Sequence, residues 1–319
     1  MIDVQSLTMT YRRRIQCGQR WGIPRYRWEM VHALHEVSFQ CLPGTVTAYL
    51  GHNGAGKSTT IKALCGILRP TSGQVCVNGF VPSRREHDFL QSIGVMFGQR
   101  NQLMWELPLM DSLDVIRVQY GLNKGEFLDT LAELDSLFRF GEILHTPVRN
   151  LSLGQRMLGN LAATLLHRPR VLLLDEPTIG LDVESKASLR RVISAFRQKS
   201  CTILLATHDL QEAEMLADQI LILDHGRLLF GGSIAEFRRL HRNSVVIQAR
   251  LETPVSELDM ADAELSQDGR IITIHTDPER VATRVAELLR MYRIRDLKIG
   301  ETPLETLLRE ELKAFVSAD

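Results

Sequence analysis

Gly51-His-Asn-Gly-Ala-Gly-Lys57-Ser58 stands between an apolar run, Val46–Leu50, and a segment with helical spacing, Thr59–Leu68. The octapeptide fits the pattern GxxxxGK[ST], and that phosphate-binding loop requires a strand before it and a helix after it. Glycine lets the backbone curl. The N–H groups of Gly51, Asn53, Gly54, Ala55, Gly56 and Thr59, with the start of the helix, can then face one anion. Lys57 reaches the β- and γ-phosphate oxygens of a nucleotide, and Ser58 offers its hydroxyl to magnesium.

Val171-Leu-Leu-Leu-Asp175-Glu176 is an unbroken aliphatic strand ending in two carboxylates, and parallel sheets place ligands at the carboxyl ends of their strands. Asp175 is expected to hold Mg2+, and Glu176 to orient or deprotonate the attacking water. Phosphoryl transfer depends on such positioning and charge stabilisation more than on covalent help. Other short apolar runs, Ile93–Phe97, Thr202–Ala206 and Ile220–Leu223, alternate with helical segments such as Ala187–Arg197. The alternation predicts an α/β fold of P-loop NTPase type, a parallel sheet covered by helices.

The composition, 44% hydrophobic and 24% charged, excludes disordered and fibrous classes. At 319 residues the chain exceeds the usual single domain. Lys plus Arg equal Asp plus Glu at 38 each, which argues against a nucleic-acid partner gripped along the whole surface. Cys17, Cys41, Cys65, Cys76 and Cys201 are scattered without a CxxC pair, and read as buried, inert thiols of a reducing compartment. The first residues carry no secretory signal, and no run approaches the roughly 18 apolar residues of a membrane helix. Membrane contact is therefore expected through a partner.

Two segments stand apart. Residues 12–34 hold six arginines (Arg12, Arg13, Arg14, Arg20, Arg25, Arg27) against one acid, Glu29, with Trp21, Tyr26 and Trp28 interleaved. They read as an inserted loop between two strands, either a solvated loop or a docking surface near lipid headgroups or a partner. Past Phe237–Asn243 the pattern changes to strands over Val245–Leu251, Arg270–His275 and Ile294–Ile299, with helices over Pro278–Met291 and from Pro303. That order predicts a small C-terminal α+β domain of ferredoxin-like type over 236–319, after an ATP-binding domain over 1–235.

Leu151-Ser152-Leu153-Gly154-Gln155, just upstream of the acidic strand, resembles the signature motif of the ATP-binding cassette (ABC) family. The resemblance covers about residues 1–232. It implies an ABC ATPase fold with a helical signature subdomain, ATP hydrolysis with Mg2+, and two cassettes bound head to tail with ATP between them. Ser152, Gly154 and Gln155 would then contact the nucleotide of the opposite subunit. The resemblance further makes Gln99 the Q-loop glutamine near the metal and Gly180-Leu-Asp182 the D-loop at the nucleotide. His208 becomes the switch histidine and Tyr11 the adenine-stacking aromatic. Gln99 is preferred to Gln102 on its spacing to Leu103, Leu107 and Leu113. Leu153, His52 and Ile179 depart from the commonest glycine, proline and small residue at their positions, and none of these removes a phosphate-contacting group.

Phe97-Gly-Gln99-Arg-Asn-Gln102-Leu, Leu153 and Pro303-Leu-Glu-Thr-Leu resemble type 2 bacterial exporters of the daunorubicin-resistance-like group. The implied partners are integral membrane permease subunits and a second ATP-binding subunit, as a homodimer, on the cytoplasmic face of the cell membrane. Arg100–Pro108, with Trp105, is the expected permease contact. The competing reading is a cytosolic ABC ATPase without a transport role, for example of iron-sulfur assembly type. The C-terminal domain is open to a regulatory role.

Overall fold

The computed structural model describes residues 1–20, 23–98, 100–240, 245–256, 258, 260, 263–301 and 306–307, in two compact units, Met1–Gly232 and Ser233–Asp319. The large unit begins with β1 (Ile2–Arg20), β2 (Ile23–Cys41), β3 (Val46–Leu50), α1 (Lys57–Leu64), β4 (Ser72–Val77), α2 (His87–Ser92) and β5 (Ile93–Phe97). It continues through α3 (Leu109–Gln119), α4 (Lys124–Phe138), α5 (Leu153–Leu165), β6 (Val171–Asp175) and α6 (Val183–Gln198). β7 (Thr202–Thr207), α7 (Leu210–Leu216), β8 (Gln219–Asp224) and β9 (Arg227–Ser233) complete it.

Six strands form the central sheet in the order β5-β6-β7-β3-β8-β9, and the first five run parallel. Strand alternation splits their side chains between two cores. Leu172, Leu174, Ile203 and Leu205 pack with the helices α3 to α6. Val171, Leu173, Leu204 and Ala206 pack with α1 and an antiparallel sheet ordered β2-β1-β4. Because both faces are covered, the strands are continuous apolar runs and not alternating ones, and this is why they are legible in the sequence.

Helix α1 ends at Leu64, short of the predicted Leu68. Gly66 takes a left-handed φ of 74°, and a Cβ there would lie 2.2 Å from Pro82 O, so the chain turns away instead of continuing. The predicted loop at 12–34 is corrected as well. β1 and β2 are 19-residue strands paired from Ile2↔Cys41 to Arg20↔Ile23, and the arginines ride on a two-stranded ribbon. On β2, Arg25, Arg27 and Glu29 alternate with Tyr26, Trp28 and Met30, and β1 opposite runs Arg12-Arg13-Arg14, so neither face is buried and no apolar run announces the strands. The thiols also differ from expectation. Cys41, Cys65 and Cys201 are buried, and burial pushes Cys41 up to about 11, but Cys17 is exposed on the ribbon and Cys76 half-buried.

The small unit comprises α8 (Ile234–Leu240), β10 (Val245–Leu251), β11 (Ala263–Leu265), β12 (Ile271–Thr276), α9 (Val281–Met291) and β13 (Ile294–Glu301). Its antiparallel sheet is ordered β11-β12-β10-β13, and Ile247, Ala249, Ile272, Ile274 and Leu288 form its core. Of the helix expected from Pro303, only residues 306–307 are described, and both are helical; the rest lies outside the described residues. No helix among the described residues is long and apolar enough to cross a membrane.

Candidate functional site

The loop from Gly51 to Gly56 leaves the end of β3 and feeds α1 directly. Gly56 has φ 114°, and a Cβ there would lie 2.7 Å from Leu34 Cδ2 and 2.8 Å from Ala33 O, so both backbone and neighbours demand glycine. Lys57, 5% exposed, donates from Nζ to Gly51 O at 2.6 Å and to His52 O at 3.3 Å, which folds its ammonium back over the loop. His52 Nε2 lies 2.9 Å from Asp224 Oδ1, and its Nδ1 lies 2.7 Å from Asn53 O. The pair ties the phosphate loop to the end of β8. Asp224 carries no motif and is 172 residues from His52, so nothing in the sequence alone pointed to it.

At the end of β6, Asp175 is buried beside the Ser58 hydroxyl; burial raises its pKa and the charge of Glu176 adds to the rise, while the neighbouring Ser58 hydroxyl and Lys57 ammonium oppose it. Asp175 Oδ1 has no hydrogen-bond partner. A buried carboxylate with an unpartnered oxygen, beside a serine hydroxyl, is an oxygen donor set suited to a small hard divalent cation, so Ser58 and Asp175 fit Mg2+. Ser58, Asp175 and Glu176 line one cavity of about 260 Å³ with Gly98 and Arg100. Gln99, between those last two, lies outside the described residues. Its alternative, Gln102, is committed elsewhere: its Nε2 donates to Val95 O at 2.9 Å and to Thr164 Oγ1 at 3.3 Å.

Glu176 turns into the left-handed region at φ 52°, an unfavourable backbone for a side chain with a Cβ, and its N–H donates to Ala206 O at 2.8 Å. Its Oε2 accepts from His208 Nδ1 at 2.8 Å, and its Oε1 lies 3.3 Å from Lys57 Nζ without hydrogen-bond geometry. Three parallel strands thus deliver Lys57, Glu176 and His208 to one point. Behind His208, Asp209 caps α7 and binds Lys186 at 2.8 Å, and buried Glu212 takes two 3.0 Å hydrogen bonds from Arg190. These clamps fix α7 on α6. They follow from tertiary contact and not from any sequence pattern.

The signature residues lie elsewhere. Ser152 caps α5, accepting from Gln155 N at 3.2 Å while Gln155 Oε1 accepts from Ser152 N at 2.9 Å. Gly154 packs against α6, where Asp182 caps the helix by accepting from Ser185 N at 2.7 Å, and Leu153 packs on Gly180. That cap holds the Asp182 carboxyl below its usual range. Among the described residues no hydrogen bond or ion pair joins Ser152, Gly154, Gln155 or Asp182 to the phosphate loop of the same chain. Tyr11 sits on β1 opposite Val31, half-buried against the cluster containing Leu34.

A glycine-turned amide loop over a buried lysine, with two carboxylates at the end of a parallel strand of the same sheet, defines a P-loop nucleotide hydrolase. Residues 34–179 match the profile of the ABC transporter family. The ABC transporter ATP-binding protein NatA of Bacillus subtilis is 30% identical over 67% of this chain and 87% of its own length. The lantibiotic transport ATP-binding protein SrtF of Streptococcus pyogenes is 33% identical over 68% and 93%. A solved ATP-binding subunit of an ABC transporter superposes with a TM-score of 0.64 at 28% identity, covering 75% of this chain and 92% of that one. The chain belongs to the ABC transporter ATP-binding family. It is an ATPase, the nucleotide-binding subunit of a transporter.

Proposed function

We propose that the chain drives export through separate membrane-spanning subunits on the cytoplasmic face of the membrane, as a dimer closed by ATP and reopened by hydrolysis. The convergence of Lys57, Glu176 and His208 at the strand ends carries the reading. Bound through Ser58, Asp175 and Gln99, Mg2+ would neutralise charge on the phosphates. Lys57 and the loop amides hold the phosphate chain. Glu176 takes the proton of the attacking water, and His208, donating to Oε2, leaves Oε1 aimed at that proton.

Ser152, Gly154 and Asp182 stand at helix N-termini and, among the described residues, make no hydrogen bond or ion pair to the phosphate loop of the same chain, which suits contact with ATP held by a second copy. Tyr11 stacks on the adenine. A cleft of about 580 Å³ runs beside β5, lined by Phe97, Arg100, Asn101, Tyr120 and His167, and Met104, Trp105 and Leu107 are exposed next to it in sequence. Unpaired apolar surface beside a cleft suits a helix of the membrane partner. Transport is supported by the likeness to the lantibiotic transport protein SrtF, and export by the type 2 exporter motifs. The unit 236–319 is read as an accessory ferredoxin-like domain.

Affinity capture of tagged Glu176→Gln chain in ATP from gently solubilised native membranes tests this. Recovery of multi-spanning proteins is the expected result, and recovery of only soluble assembly or ribosomal partners would overturn the transport half.

A further inference from the structure

Beyond Thr10 the pairing of β1 continues with β2 alone, giving a ribbon about 30 Å long from Tyr11 to Arg20. Cross-strand partners share a face. Arg12↔Met30, Arg14↔Trp28 and Gln16↔Tyr26 therefore put two arginines, two aromatics and a methionine on one side with no acid among them. Arg13↔Glu29, Ile15↔Arg27 and Tyr11↔Val31 fall on the other. The first face is wholly exposed, with Tyr26 at 46%, Trp28 at 66% and Met30 at 54%, whereas Tyr11, Ile15 and Val31 of the second are half-buried. The Arg14 guanidinium lies 3.8 Å from the Tyr26 ring centroid, so the cation stays among the aromatics.

We infer that the face carrying Arg12, Arg14, Tyr26, Trp28 and Met30 docks on an anionic phospholipid surface. Arg12 and Arg14 on β1 and, directly opposite, Met30 and Trp28 on β2 supply both partners of a bilayer interface, cations for the phosphates and apolar or amphipathic side chains for the acyl boundary. The single carboxylate, Glu29, lies on the opposite face, and near an anionic leaflet each arginine favours the bound state. Nothing in this contact reads a sequence or shape, which a wet, acid-free ribbon face suits. The inference rests on the membrane-facing reading proposed above and assigns the ribbon its own contact, separate from the permease cleft. It gives the subunit a second hold that sets its orientation on the membrane.

The test uses the full chain with vesicles that contain no permease. Flotation is compared on phosphatidylglycerol–phosphatidylcholine and on phosphatidylcholine alone, and tryptophan emission is followed throughout. Salt-sensitive binding to the anionic vesicles with a blue shift lost in Trp28→Phe is expected, weakened about fivefold for each of Arg12→Gln and Arg14→Gln. Trp28→Ser should weaken it further with basal ATPase rate unchanged. Equal flotation on both vesicle types, indifference to Trp28→Ser, ribbon-dependent self-association in solution, or tighter binding to a mixed-sequence oligonucleotide at the same salt would each overturn the inference. A Trp28→Ser chain that still captures multi-spanning proteins separates failure here from failure of the transport reading.

Discussion

His208 Nδ1 donates to Glu176 Oε2 at 2.8 Å, so the histidine fixes the rotation of the carboxylate that stands over the phosphate loop. Glu176→Gln keeps the shape and the acceptor but removes the base. Hydrolysis should fall by about 10²–10⁴-fold while ATP binding persists, trapping the closed dimer in light scattering. Lys57→Ala removes a charge-assisted contact and should weaken ATP binding by roughly ten- to a hundredfold. Normal turnover by Glu176→Gln would sink the assignment of the base.

Asp175 gives up stability for its site. Its carboxyl is buried, burial raises its pKa, and Oδ1 has no partner, so the nucleotide-free fold carries an uncompensated cost. Asp175→Asn should raise the unfolding free energy of the nucleotide-free protein by about 1 kcal/mol and abolish Mg2+-dependent hydrolysis. Urea unfolding of both proteins decides it. A less stable variant with intact Mg2+ dependence would refute the role.

Strands covered on both faces and glycine-marked phosphate loops announce themselves, so β3, β5, β6, β7 and β8 were all legible from apolar runs. Lys57, Ser58, Asp175 and Glu176 follow from those strands because motif and strand end coincide. The arginine ribbon did not read as strand because neither face is buried and its alternation is polar against aromatic. Links such as His52 to Asp224, or Arg190 to Glu212, depend on which strand ends the sheet order brings together. That order is set by crossover packing and leaves no local trace.

A Cβ on Gly154 would fall 2.5 Å from Ser185 Oγ but 3.4 Å from Ser185 Cβ, so the clash is with the hydroxyl alone. Gly154→Ala should therefore destabilise the chain by about 1–3 kcal/mol through overpacking between α5 and α6. Ser185→Ala should relieve most of that, giving a coupling energy of about 1 kcal/mol in a double-mutant cycle of thermal unfolding. Strict additivity would mean the two helices part without cost.

His167 should govern the acid limb of stability. Its Nε2–H donates to Ile93 O at 2.9 Å, its ring stacks on Tyr120 at 3.9 Å, and its buried Nδ1 has no partner. A proton on Nδ1 would be an uncompensated buried charge, and burial lowers the pKa to about 4 against that backbone hydrogen bond. The folded value lies below the unfolded one of about 6.5, so on acidification the unfolded chain takes up the proton first. This contribution is fully present above pH 6.5 and is lost as pH falls toward 4, by on the order of 3 kcal/mol. His167→Gln cannot titrate and keeps a donor for Ile93 O. Urea unfolding across that range should show a shallower acid slope in His167→Gln, together with a modest loss at neutral pH from the missing ring stack. An unchanged slope would place the acid sensitivity elsewhere, such as in Asp209, whose carboxyl is held below its usual range, against partial burial, by the hydrogen bond from Lys186.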